Sequence, residues 1–369
     1  MIESAAHVRV IEETSAYWRA VFDYPPFNIV DATIFEGLQN LLARMDASPS
    51  LRVVVFESAN PEFYLAHFDL TGNTGNITTA VGPSGLPILM DTFVRLTKSP
   101  VVSIAKIRGC VRGVSSEFVL ACDMRFASRE NTRLGQPEVG VGLHPGGGGT
   151  ERLPHLVGRG RALEIVLGAN DFDGDTAERY GYVNRALPDA ELDGFVDALA
   201  RRIASFDRRA IAAAKNLVNQ VSLPSADRLL EALNSFTTAL TWPETQQRIQ
   251  ALLKLGLQRD ADFEKRWPAL LGTLEIGPGV RWRLTRAARY PLDPPAIAQF
   301  LGPGNRLIPK VSVSSLDRAR DAIDLVPASV DALGLVKHAI FGEDLVDGRA
   351  PTRRVVFTED VVKIAGQQG

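Results

Sequence analysis

Glu117 and Glu138 are the residues whose setting could do chemistry. Glu117 lies in Gly113-Val-Ser-Ser-Glu-Phe-Val-Leu-Ala-Cys-Asp123, with apolar residues crowding its C-terminal side. Glu138 follows Gly135-Gln-Pro in a glycine-rich turn region. Two carboxylates that approach one site cannot both ionise freely, so one is held protonated. One then accepts a proton while the other donates one, which is what adding water to a double bond requires. A single glutamate in a short helix is ordinarily a solvated surface residue, so the pairing must draw its support from its neighbours.

Those neighbours are glycines. Arg108-Gly109 and Arg112-Gly113 precede a helix predicted to start near Val114. The first N–H groups of a helix have no partner within it and point outward. They could stabilise a forming oxyanion, an effect of ~3–4 kcal/mol per donor; a bare glycine turn serves tight packing equally well. A second possible donor lies in Phe63-Tyr-Leu-Ala-His67-Phe68-Asp69-Leu70. His67 is a candidate general base, set against a histidine that simply packs in a loop or holds a backbone carbonyl. Ser115 and Ser116 sit in no nucleophile-elbow pattern. The run His144-Pro-Gly-Gly-Gly-Gly-Thr150 lacks the Gly-Lys-Ser/Thr ending of a P-loop and is not a dinucleotide fingerprint. It reads as a backbone wall beside a ligand or as a turn into the next helix. The five histidines show no metal-ligand spacing, so no metal is expected.

The elements that must position these residues alternate. Val8–Glu13 and Tyr17–Phe22 read as a hairpin ended by Pro25-Pro26. Ile34, Phe35, Leu38, Leu41, Leu42 and Met45 recur at helical spacing before Pro49. Strands are predicted over 52–57, 100–106, 124–128 and 183–188, and short helices over 115–122 and 175–181, the latter closed by Gly181. Residues 149–169 carry a helical pattern, and 191–257 are helix-rich with breaks at Pro224 and Pro243. Strand–helix–strand alternation favours an α/β layered domain. The stretch 291–309 is rich in Pro and Gly and linker-like. Beyond it come a strand-like run, a helical run near Leu316 and a strand-like Arg354-Val-Val-Phe-Thr.

At 369 residues, 45% hydrophobic and 23% charged, the composition is that of an ordinary globular protein. A net charge of −2 gives no reason to expect nucleic acid or a membrane as partner. Cys110 and Cys122 are too few for a disulfide framework and read as small buried thiols. The N-terminus has no basic start with an apolar run, and no stretch of about eighteen apolar residues occurs. A cytoplasmic protein is expected.

Residues 52–70, 100–128 and 134–169 closely resemble the crotonase superfamily, the enoyl-CoA hydratase and isomerase group. The most specific segments are Pro100–Gly109, Glu117–Asp123, Leu134–Glu138 and Pro145–Leu153. The resemblance runs from about residue 8 to 270. It implies an α/β fold: a spiral of ββα units over 1–190, a helical trimerisation region over 191–270, and an extra C-terminal segment over 271–369. By resemblance Glu117 and Glu138 match the two catalytic glutamates, and the backbone N–H groups of Phe68 and Val114 match the oxyanion hole. Leu65, Ala66, His67, Asp69 and Gly113 are the implied substrate-binding residues. The implied substrate is an acyl-CoA thioester, with no cofactor beyond the coenzyme A it carries, and the implied assembly is a homotrimer or hexamer. Both carboxylates together favour an enoyl-CoA hydratase-like lyase. Isomerisation, thioester hydrolysis, carbon–carbon cleavage and a non-catalytic acyl-CoA-binding trimer are the alternatives. His67, Val114 and Ser115 depart from glycines of the family pattern.

Overall fold

The computed structural model describes residues 7–72, 74–275 and 281–282. Its first compact unit spans 1–283. The linker-like 291–309, the helical run near Leu316 and the flanking strand-like runs lie outside the described residues.

The predicted hairpin forms from β1 (Val8–Thr14) and β2 (Tyr17–Phe22), paired antiparallel from Val8↔Phe22 to Thr14↔Tyr17. Asp31 then caps α1 (Ala32–Ala47), accepting from the N–H groups of Thr33 at 2.9 Å and Ile34 at 3.2 Å. All six apolar residues picked out by their spacing are buried on that helix. The chain returns as β3 (Val53–Ser58), parallel to β2, and then β4 (Phe63–Leu65). Helix α2 (Ile88–Lys98) leads into β5 (Val102–Arg112), parallel to β3 and to β4. Helix α3 (Val114–Ala121) connects β5 to its parallel neighbour β6 (Met124–Gly135). Every residue of α3 is buried, the polar Ser115, Ser116 and Glu117 included.

After a single turn, α4 (Glu138–Val141), come α5 (Gly149–Val157) and α6 (Arg159–Gly168), separated at Gly158 with φ +78°. The continuous helical pattern of 149–169 is therefore two helices, because that backbone angle suits glycine and interrupts the helix. Strand β7 (Asp171–Asp173) adds antiparallel to β6, α7 (Gly174–Tyr180) ends on Gly181, and β8 (Arg185–Leu187) pairs parallel with β6. The remaining helices are α8 (Asp189–Ala204), α9 (Arg208–Ser222), α10 (Ala226–Ala239), α11 (Pro243–Leu255) and α12 (Ala261–Leu270). Pro224 precedes α10, and Pro243 opens α11 at a position where its missing N–H costs nothing. The largest apolar cluster joins α1, α2 and α3 to one face of the sheet. A smaller cluster of Val141, Ala169, Ile249, Leu252, Phe263 and Trp267 seats α11 and α12 beside α4. No described helix is long and apolar enough to cross a membrane.

Candidate active site

The turn from β5 into α3 needs Gly113. Its φ is +58°, and a Cβ there would lie 2.9 Å from Glu138 Oε1 and 4.0 Å from the Cβ of His67. Glu117 follows one turn into the helix, where its carboxylate is enclosed. Oε1 accepts from the N–H of Gly147 at 2.7 Å and of Gly149 at 2.8 Å. The glycine run is thus a backbone wall rather than a phosphate cradle. A side chain at Gly147 would put its Cβ 2.5 Å from Glu117 Oε2. His144 braces the wall, with Nδ1 against the Pro145 carbonyl at 2.9 Å and Nε2 against Ser235 Oγ at 2.9 Å.

Glu138 begins α4 after Pro137. With its amide nitrogen turned to the carboxylate, Gln136 donates to both Glu138 oxygens at 3.1 Å, and its carbonyl accepts from Ser116 Oγ at 3.1 Å. Ser116 is hydrogen bonded in turn to the Tyr182 hydroxyl. Ser116 therefore links Gln136 to Tyr182 in a polar relay. Gln136, Ser116 and Tyr182 are all buried.

Burial pushes the Glu117 carboxyl up to about 7, against the N–H donors of Gly149 and Gly147, which favour its charged form. Burial raises Glu138 well above the ordinary carboxylate range, and the negative charge of Glu117 raises it further. Glu138 keeps some exposure toward the pocket, yet protein surrounds its carboxylate on its other sides. The two groups differ in their support: Glu117 has two fixed backbone donors, whereas Glu138 has one side-chain amide.

Both glutamates line one pocket of about 50 Å³, together with His67, Phe68, Gly113 and Val114. Among the described residues no acceptor takes the N–H of Phe68 or of Val114. The Phe68 peptide is fixed from its other side, because the His67 carbonyl accepts from Val30 N–H at 2.9 Å. Three residues expected to bind substrate lie elsewhere. Leu65 is packed into the main core, and Ala66 packs with Phe27, Phe63 and Cys110. Asp69 turns away to accept from Thr71 N–H at 2.7 Å and from Gln258 at 2.8 Å. Strand alternation and loop closure, not the ligand, set the directions of those three side chains. His67 does line the pocket, but its ring is held by the Phe68 carbonyl at 2.8 Å and by Glu264 at 3.3 Å.

Phe236 on α10 and Trp267 on α12 complete the wall with Leu70, Leu89, Val141 and Leu143. Sequence reasoning missed both aromatics, since nothing local separates them from the apolar stripes of their helices. Gln136 stood in plain sight between Gly135 and Pro137, but its role depends on a fold that brings it beside Ser116. Cys110 and Cys122 are buried free thiols.

A sequence model of the family described as enoyl-CoA hydratase/isomerase matches residues 18–265. A short-chain-enoyl-CoA hydratase of Clostridium acetobutylicum is 29% identical over 193 residues, covering 52% of this chain and 73% of that protein. The fatty acid oxidation complex subunit alpha of Vibrio parahaemolyticus is 30% identical over 199 residues, which cover 52% of this chain and only 28% of that much longer protein. Among solved structures, that of a candidate enoyl-CoA hydratase from Streptomyces avermitilis superposes with a TM-score of 0.69 at 42% identity, over 73% of this chain and 98% of that one.

Proposed function

The chain belongs to the enoyl-CoA hydratase/isomerase family, and on that footing we propose that it adds water to the double bond of a 2-enoyl-CoA thioester. One observation carries the reading: Glu117 and Glu138 share a pocket with two N–H groups that have no acceptor among the described residues. Those donors suit a thioester oxygen. As water adds, enolate density collects on that oxygen, and fixed donors in a site shielded from solvent stabilise it most when the charge is greatest.

The electrostatics divide the proton work. Glu117, poised near neutrality by opposed effects of burial and backbone donors, is the base that activates water for attack at the β-carbon. Glu138, held protonated by burial and by the charge of Glu117, delivers its proton to the α-carbon. Gln136 keeps the Glu138 carboxyl aimed into the pocket. The apolar side chains of Leu89, Val141, Leu143, Phe236 and Trp267 suit the acyl chain and exclude bulk water. Homo-oligomerisation through the C-terminal helices belongs to the same reading.

The test follows the loss of enoyl-thioester absorbance with crotonyl-CoA and a longer enoyl-CoA. Wild type should convert each to the 3-hydroxyacyl-CoA. Glu117→Gln and Glu138→Gln should each slow the reaction by about 10³-fold or more, since each removes a group that moves a proton. A loss below tenfold in either variant contradicts the assignment.

A further inference from the structure

The residues next to the two donors are tied to one side chain and its own backbone. His67 immediately precedes Phe68, and its Nε2 faces the Glu264 carboxylate at 3.3 Å. Arg112 stands two residues before Val114, and its guanidinium donates to the Glu264 carbonyl and, at 2.8 Å, to the Lys265 carbonyl. The same guanidinium is paired with Asp171 at 2.6 Å and 2.8 Å. Glu264 is wholly buried in α12, and its carboxylate also accepts from Gln258 N–H. Gln258, at a left-handed φ of +62°, adds a third tie: its side chain accepts from Leu70 N–H at 2.9 Å and donates to Asp69 at 2.8 Å.

We propose that Glu264 is a positioning residue, through which α12 fixes the orientation and spacing of the two oxyanion donors by gripping His67 on one side and Arg112 on the other. This rests on the thioester reading given above. The chemistry of the grip is specific. Both partners of the His67 ring, a carbonyl oxygen and a carboxylate, only accept hydrogen bonds, so the ring satisfies both only as the doubly protonated imidazolium. Burial alone would push the His67 imidazole down, but the Glu264 carboxylate and the Phe68 carbonyl outweigh it and raise it, while Arg112 opposes them. The ring stands edge-on to Trp267, with centroids 5.6 Å apart, which leaves it little freedom to swing. A glycine at position 67 could make no such contact. The departure from the family pattern therefore brings its own anchor, 197 residues away along the chain.

The test uses a 3-ketoacyl-CoA, which has no double bond to hydrate but can lose its α-proton and share the negative charge between its keto and thioester oxygens. The near-ultraviolet absorbance of the bound enolate reports how well the two donors hold that charge, independently of turnover. In the full-length wild type the enolate should form at a lower pH than in free ligand. In His67→Ala and Glu264→Ala its apparent pKa should rise, and kcat for enoyl-CoA should fall by about 10–100-fold, the scale of a small misplacement of reacting groups. KM should change less than threefold, because a donor that holds the developing charge acts on the transition state more than on the bound substrate. Glu264→Gln, which keeps the shape and two of the hydrogen-bonding positions, should recover most of the loss relative to Glu264→Ala. If the alanine variants do not fold, Glu264→Gln decides alone: its enolate pKa should still rise, since the ion pair is lost. An unchanged enolate pKa and kcat in the folded variants overturn the proposal while leaving the thioester reading intact. No enolate in wild type overturns both.

Discussion

A carboxylate that is wholly enclosed yet bonded to two backbone N–H groups is pulled in opposite directions, and for Glu117 the balance falls at about 7. Two consequences follow at this scale. If Glu117 is the base, kcat/KM for hydration rises with pH through about 7 as it ionises, and falls again at higher pH where Glu138 loses its proton. A profile flat between pH 6 and 8 would remove Glu117 from that role. The second consequence concerns stability. A folded-state pKa above the unfolded 4.5 means that the native protein binds more protons than the unfolded chain across pH 4.5–7, so Glu117 makes the fold less stable as pH rises through that window. Glu117→Gln removes this slope. Its urea midpoint should gain on wild type from pH 4.5 to 7, and an unchanging difference would show that the group is not held protonated by the fold. The two glutamates were legible in the sequence because carboxylates between apolar residues and glycines stand out. Gln136 and Glu264 were not, because the partners that give them a role, Ser116 and Glu138 for one and His67 for the other, come together only through the fold.

At the scale of elements, the site is made where short segments meet: the start of α3, the single turn of α4 and the glycine wall before α5. Such walls tolerate no side chain. Alanine at Gly147 would bring its Cβ within 2.5 Å of Glu117 Oε2 and 3.2 Å of Phe93. Relief by overpacking costs about 1–3 kcal/mol, and the carboxylate, as the lighter obstacle, gives way. Gly147→Ala should therefore fold with a lowered melting temperature and lose about 100-fold in kcat. Activity within threefold of wild type would show that the carboxylate position is not critical. Helix α1 and strand β3 were readable because their apolar residues are continuous along one face or one run. Helix α2 was not, because it follows a Gly-, Thr- and Asn-rich stretch and buries Asp91, Thr92 and Thr97 along with its apolar residues. Strand β6 runs on from Ser128 to Gly135 through Arg129, Glu130, Asn131 and Arg133, whose polarity hides the strand. They are exposed there: Arg133 pairs with Cys110 of β5 and Asp173 of β7, while Arg129, Glu130 and Asn131 fall at the register break between the two paired parts of β6.

Among the described residues one helix is turned against the usual order. No residue of α9 is buried, and Leu217, Val218 and Val221 are 64%, 61% and 84% exposed. Ile211 packs α9 against the cluster of Val53, Val55 and Leu192, and polar ties add to it: Lys215 reaches the Val101 carbonyl at 2.8 Å and Asp123 at 2.7 Å, and Asn219 reaches the Thr97 carbonyl at 3.0 Å. A docked helix that still turns contiguous apolar residues outward has the pattern of a subunit contact. Leu217→Glu with Val218→Glu should therefore reduce the particle mass in light scattering to that of one chain, and an unchanged mass would place the contact elsewhere. The segment after residue 283 bears on the same question from the other side. Every described core cluster is closed by residues before Gly272: α12 seals the last of them with Phe263, Trp267 and Leu271 against Val141, Ile249 and Leu252. A chain cut after Arg283 keeps that seal, the grip of Glu264 on His67 and the outer face of α9. It should be soluble, melt cooperatively, assemble as the full chain does and retain hydration within about threefold, since every residue placed in the site precedes Gly272. Aggregation of the shortened chain would show that the last 86 residues, from Leu284 to Gly369, are needed to keep the first unit in solution.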